Sequence, residues 1–303
     1  MVDGTAAARA ADAFGTVCTA MVTPFTDTGA LDLDGAAALA THLVDAGNDS
    51  LVISGTTGES PTTTDDEKYE LIRAVGGAVG SRARIIAGVG SFSTEHSVEL
   101  AKQANKAGAH GVLIVTPYYS KPPQAGILHY METVATAGDL PAMLYDIPGR
   151  SAVPITTDTL VRLAEHPSIL AVKDAKGNLY ESSWVMSRSD LAYYSGEDAL
   201  NLALLAHGAI GVVSVVAHVC PGAYARMVHA AAAGDFDAAR AAHFETLPMV
   251  RAIMTRMQGA IAVKAALEAQ NVLANRLVRS PLVSATTDEV LTLTDDLKQN
   301  GFL

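Results

Sequence analysis

Ile169-Leu170-Ala171-Val172-Lys173-Asp174 is the stretch on which the fold of this chain turns. Four apolar residues in succession, with Pro167-Ser168 before and Gly177-Asn178 after, predict a short, fully buried strand. Unalternating strands of this kind belong to parallel sheets covered on both faces. The run ends on a lysine, where burial gives way to loop. A lysine ordinarily titrates near ~10.4, so only about one in a few thousand is a free amine at neutral pH. Apolar surroundings disfavour an ammonium, which is one way to obtain an amine nucleophile. Taken alone, the stretch favours the plainer reading, in which the stem lies along the strand and the head reaches water.

Outward from this strand the pattern repeats. Thr16 to Val22, Leu51-Val52-Ile53, Ile85 to Val89, Val112 to Val115 and Ala142 to Tyr145 read as strands before it. Leu191 to Tyr194 and Val212 to Val216 follow it. Apolar residues at helical spacing separate them: Leu33 to Val44 behind the N-cap Asp32, Glu95 to Ala107, Gly126 to Ala135 and Thr159 to Ala164. Thr64-Asp65-Asp66-Glu67 and Thr286-Thr287-Asp288-Glu289 have the form of capping boxes. Eight strands alternating with helices over roughly 220 residues predict an α/β fold, a (β/α)8 TIM barrel with a C-terminal helical extension. The barrel is expected over residues 14–234, and helices at 236–254, 263–270 and 287–297 over residues 235–303. A doubly wound nucleotide-binding sheet is the structural competitor. Gly88-Val89-Gly90 lacks the third glycine of its fingerprint, and GxxxxGK[ST] does not occur.

The chain has 303 residues, 49% of them hydrophobic, and a formal net charge of -11. That charge argues against a nucleic-acid partner or an anionic membrane surface. Leu200 to Ala225 carries no charged side chain, but Asn201, His207, Gly208, Gly211, Ser214, His218 and Pro221 interrupt it, so no membrane span is expected. The N-terminus lacks the form of a signal peptide. Cys18 and Cys220 sit on apolar stretches and suggest a reducing compartment, the cytoplasm.

Barrel active sites lie at the carboxyl ends of the strands. The residues expected there are Thr56, Thr57, Tyr118, Tyr119, Tyr145, Arg150, Lys173 and Ser195-Gly196-Glu197. Each has an unremarkable explanation: a backbone-capping threonine, a core tyrosine, a surface arginine. Collectively they supply hydroxyls, one guanidinium and one amine, the makings of a carboxylate site beside an amine nucleophile. The nine histidines show neither HxH nor HExxH spacing, and no metal is expected.

Gly55-Thr56-Thr57-Gly58-Glu59-Ser60, Thr116-Pro117-Tyr118-Tyr119, Tyr145 to Arg150, Val172-Lys173-Asp174 and Ser195-Gly196-Glu197-Asp198 resemble the dihydrodipicolinate synthase family in order and spacing, over essentially the whole chain. The resemblance implies a cofactor-free lyase that condenses pyruvate with L-aspartate 4-semialdehyde. It implies that Lys173 forms a Schiff base with pyruvate and that Tyr145 is the acid/base group. Thr56 and Tyr119, the latter from a neighbouring subunit, would complete a hydroxyl relay. Thr57 would hold the pyruvate carboxylate, Arg150 the semialdehyde carboxylate, and Gly196 and Val213 would contribute backbone. A homotetramer is implied as well. A related pyruvate lyase acting on N-acetylneuraminate or a 2-keto-3-deoxy sugar acid is the alternative, and Arg150 discriminates against it. A catalytically silent binding protein is a third possibility, disfavoured because Lys173, Tyr145, Thr56 and Tyr119 occur together.

Three positions depart from the family pattern. Asp146 stands where asparagine is more frequent, and Gln258 to Lys264 replaces an Asn-Pro motif. Asp65, Lys68, Phe92 and His96 occupy the positions of an effector pocket for lysine. A cation at Lys68 and the loss of an amide at Phe92 predict weak or absent feedback inhibition.

Overall fold

A computed structural model describes residues 5–303. Helix α1 (Ala6–Phe14) leads into β1 (Val17–Ala20), and α2 (Leu33–Asp45) into β2 (Ser50–Ile53). Then come α3 (Asp65–Val79), β3 (Arg84–Gly88), α4 (Thr94–Ala107), β4 (Gly111–Val115), α5 (Gln124–Gly138) and β5 (Ala142–Asp146). A single turn, α6 (Pro148–Ser151), and α7 (Thr157–Leu163) lead to the lysine strand β6 (Ile169–Asp174). After it, α8 (Leu179–Met186), β7 (Ala192–Ser195), α9 (Asn201–His207) and β8 (Gly211–Ser214) complete the alternation. Helices α10 (Pro221–Ala232), α11 (Phe236–Met254), α12 (Gly259–Ala269) and α13 (Thr287–Gln299) follow.

The eight strands pair in parallel, each with its chain neighbour, and β1 closes on β8. The predicted barrel is therefore the observed one. Two apolar layers follow from closure. Cys18, Val52, Ile86, Leu113, Met143, Ala171, Tyr194 and Val213 pack inside the ring. Leu51, Ile53, Ile85, Ile114, Leu144 and Val172 pack outward against the helices. This alternation explains why the strands read as continuous apolar runs: both faces are buried.

The expected caps are present. Asp32 accepts the Gly35 N–H, and both capping boxes form, at Thr64/Glu67 and Thr286/Glu289. The strand predicted to run to Val216 ends at Ser214, where the chain tightens into a short 3-10 turn, Val216–His218. Helices α1 and α8, and the single turn α6, are not expected from the sequence. Helix α8 is short and leaves Tyr180 exposed, so its periodicity is weak. Helix α1 is alanine-rich, yet it packs at the amino ends of the strands. Phe14 meets Tyr194 edge-to-face, and the Tyr194 phenol donates to the Gly15 carbonyl at 2.7 Å. A Cβ on Gly111 would lie 2.7 Å from the Phe14 ring. Among the described residues no helix is long and apolar enough to cross a membrane.

Candidate active site

Parity along the strands decides which side chains reach the barrel mouth. On β6, Ala171 points inward, so Lys173 does too. Asp174 points outward, where its carboxylate accepts the Lys176 and Gly177 N–H groups and the Ser182 hydroxyl. On β5 the same alternation turns Tyr145 inward and Asp146 outward. Asp146 meets Lys176 at 3.3 Å and accepts the Ile155 N–H. Burial raises the Asp146 carboxyl to about 6, against the opposing pull of Lys176. The unusual aspartate thus belongs to the strand's helix side.

Tyr145 and Lys173 are register partners on adjacent strands. The amine lies 4.2 Å from the centroid of the phenol ring, and Lys173 is only 4% exposed. Among the described residues it makes no ion pair. A cavity of about 410 Å³ opens above these two side chains. Thr56, Thr57, Arg150, Gly196, Glu197, Val215 and Met254 also line it. Gly196 is required by space: a Cβ there would fall 2.8 Å from both Cγ and Cε of Lys173.

The two threonines come from the loop after β2. Ser54 and Glu59 bracket it in left-handed backbone conformations, with φ of 57° and 55°, which is uncommon for residues other than glycine. The loop is braced internally by Glu59 N–H to the Thr56 carbonyl and Ser60 N–H to the Gly55 carbonyl, both 3.2 Å. Thr23 donates to the Gly58 carbonyl at 2.7 Å. Arg150 rides on the turn α6, which Pro148 starts, and its side chain is exposed at the cavity rim.

Of the sequence-predicted residues, Lys173, Tyr145, Thr56, Thr57, Arg150 and Gly196 converge on the cavity. Two do not line it. Val213 is buried in the barrel interior, and Val215, two residues on, reaches the cavity instead. Tyr119 is 91% exposed, with φ of 75°. Its neighbour Tyr118 lines a smaller adjoining cavity with Thr56 and Tyr145, and packs edge-to-face on Phe92 with centroids 5.7 Å apart. Glu197 was within the predicted strand end but had no assigned role. Met254, from the helical extension, carried no local signal. The effector-like positions form a polar cluster: Lys68 donates to the Thr63 carbonyl at 2.6 Å, and Asp65 pairs with His96 at 2.9 Å.

The model of the dihydrodipicolinate synthetase family matches residues 13–300. The chain is 62% identical over 288 residues to 4-hydroxy-tetrahydrodipicolinate synthase from Kineococcus radiotolerans, covering 95% of this chain and 94% of the relative. It is 59% identical over 289 residues to the enzyme of that name from Acidothermus cellulolyticus, with 95% and 93% covered. Among solved structures, DHDPS from Cyanidioschyzon merolae with lysine bound superposes with a TM-score of 0.92 at 41% identity, covering 96% of this chain and 99% of that one. A dihydrodipicolinate synthase from Bacillus anthracis gives 0.90 at 39% identity, with 94% and 98% covered.

Proposed function

The chain belongs to the dihydrodipicolinate synthetase family, and from that premise we propose how its residues divide the work. It is a Schiff-base-forming lyase that condenses pyruvate with L-aspartate 4-semialdehyde to give 4-hydroxy-tetrahydrodipicolinate. The Lys173 amine attacks the pyruvate ketone, water leaves, and a protonated imine remains on Nζ. The imine draws electrons from the methyl group, whose proton leaves to give an enamine. The Tyr145 phenol, close to that nitrogen, moves the proton. Thr56 and the Tyr119 hydroxyl of a second copy extend the relay without any side chain holding net charge. The enamine carbon attacks the aldehyde, and the substrate's own amine closes the ring and displaces Lys173.

The juxtaposition of a buried amine and a phenol at the floor of one cavity, with a guanidinium at its rim, carries this reading. Thr57 and its loop take the pyruvate carboxylate. Arg150 takes the semialdehyde carboxylate, for which a planar fork suits two oxygens. Glu197 supplies a carboxylate for the ammonium of the same substrate. Gly196 leaves room for the lysine, and backbone near Val213 completes the wall. In the same reading, residues 14–234 are the catalytic barrel and 235–303 a supporting extension. Relatives at 51–62% identity share one synthase name, which supports this reading over the sugar-acid lyase.

A relay through the exposed Tyr119 calls for a second copy, and Tyr180 with Trp184 on α8 is an exposed aromatic pair. Both support a homotetramer. Two buried free cysteines support the cytoplasm. The test is borohydride reduction in the presence of pyruvate, followed by peptide mapping. Labelling is expected at Lys173, and label elsewhere would overturn the assignment. Arg150→Ala is expected to raise KM for the semialdehyde about 10- to 100-fold, the loss of a charge-assisted contact, while pyruvate labelling persists.

A further inference from the structure

We infer that the buried pair Glu59–Lys264 is a positioning device through which the helical extension sets the pyruvate-binding loop. The inference rests on the assignment of Thr57 to the pyruvate carboxylate. Glu59 closes the loop that carries Thr56 and Thr57, two residues beyond Thr57. It is 2% exposed, and Lys264 on α12 is 1% exposed. The Lys264 amine donates to Glu59 Oε1 at 2.5 Å and to the Leu277 carbonyl at 2.7 Å. The other carboxylate oxygen, Oε2, accepts the Arg279 N–H at 2.8 Å.

Arg279 extends the clamp. Its guanidinium grips both oxygens of Glu67, at 2.7 and 2.6 Å, and donates to the Gly29 and Thr62 carbonyls. Glu67 is the residue that closes the capping box of α3, the helix that follows the loop after a short 3-10 turn at Ser60–Thr62. Lys264 and Arg279 share one aromatic neighbour, each 4.2 Å from the centroid of the Phe25 ring. The loop is thus held to the extension by directed bonds from Lys264 and Arg279.

Burying two charges is costly, and a well-packed apolar pair of similar volume is often as stable. Geometry is what the ion pair supplies and an apolar pair lacks: two directed bonds that fix where Glu59, and with it Thr56 and Thr57, must stand. Glu59 sits at φ of 55°, a conformation that persists only where surroundings over-determine it. Lys264, 205 residues away in the chain, and the Arg279 backbone N–H supply those surroundings, one on each carboxylate oxygen.

Glu59→Gln, which keeps size and removes charge, tests the proposal beside Thr57→Ala. In steady state, Glu59→Gln is expected to raise KM for pyruvate about 10- to 100-fold, the cost of misplacing a binding group by about 1 Å. KM for the semialdehyde should change less than about twofold, since Arg150 stands on another loop. Label at saturating pyruvate should remain complete. Glu59→Gln/Lys264→Met, with no buried charge, should fold and show the same pyruvate-specific defect. Unchanged pyruvate KM in either variant, or an equal rise for both substrates, overturns the proposal. So does failure of both to fold, because the pair would then hold the barrel and not the loop. If Thr57→Ala leaves pyruvate KM unaltered, the assignment of Thr57 fails instead.

Discussion

Lys173 and Tyr145 face each other across one rung of the barrel: register partners on β6 and β5, with the amine 4.2 Å from the phenol ring centroid. The two are 28 positions apart in the chain, and strand pairing alone brings them together. This separates imine formation, which needs the amine, from proton removal, which needs the phenol. Tyr145→Phe is expected to retain borohydride labelling by pyruvate and to lower kcat about 10²- to 10⁴-fold. Exchange of the pyruvate methyl protons with solvent deuterium, followed by NMR, should fall in parallel. Normal exchange in the variant would remove Tyr145 from the acid/base role.

Gly196→Ala tests the space that Lys173 occupies. The added methyl would stand 2.8 Å from Cγ and Cε of the lysine and 3.1 Å from the Asp174 carbonyl. The flexible side chain is the part that gives way. Labelling by pyruvate should slow by about 10²-fold, as for a reacting group displaced by about 1 Å. The thermal midpoint should move little, because the cavity above the lysine absorbs the shift. Wild-type labelling kinetics would show that the lysine tolerates the methyl.

His218 sets an acid limit on stability. Its ring is fully buried; Nε2 accepts the Val22 N–H at 3.0 Å, and Nδ1–H donates to the Val215 carbonyl at 2.7 Å. Desolvation holds it down at about 4, against an unfolded value near ~6.5. The unfolded chain therefore binds a proton between these values and the folded chain does not. Its contribution is fully present above the unfolded value and is lost as pH falls through the folded one, about 3 kcal/mol in all. His218→Gln should flatten the dependence of the urea midpoint on pH between about 6.5 and 4. Parallel curves for the two proteins would sink this assignment.

Lysine should inhibit weakly or not at all. At the effector-like positions the Lys68 ammonium is already bound to the Thr63 carbonyl and lies 3.6 Å from Asp65, whose carboxylate also engages His96. A second cation would have to compete for that carboxylate beside a like charge. Phe92 leans on Tyr118 and offers no amide. Half-inhibition at sub-millimolar lysine in a steady-state assay would overturn the expectation.

Local chemistry made most of the fold legible in the sequence. Apolar runs, the caps at Asp32, Thr64 and Thr286 and the turns after each strand are properties of neighbouring residues, so the alternation of strand and helix could be read directly. Closure then places strand ends at one mouth, which is why Lys173, Tyr145, Thr56, Thr57, Arg150 and Gly196 were identifiable as neighbours. Helix α1 was not, because an alanine-rich segment becomes structural only through Phe14 and its contact with Tyr194.

What tertiary structure alone decided are the pairings between distant positions and the last step of aim. Val213 lies within β8 and Val215 just past it; both are apolar, and only the chain's exit from the barrel puts the second at the cavity. Lys264 in the sequence is a cation on an apolar helix; its partner, Glu59, lies 205 residues away. A residue's strand parity is written in its immediate neighbours, whereas the charge that it will meet in the interior depends on how the whole chain closes.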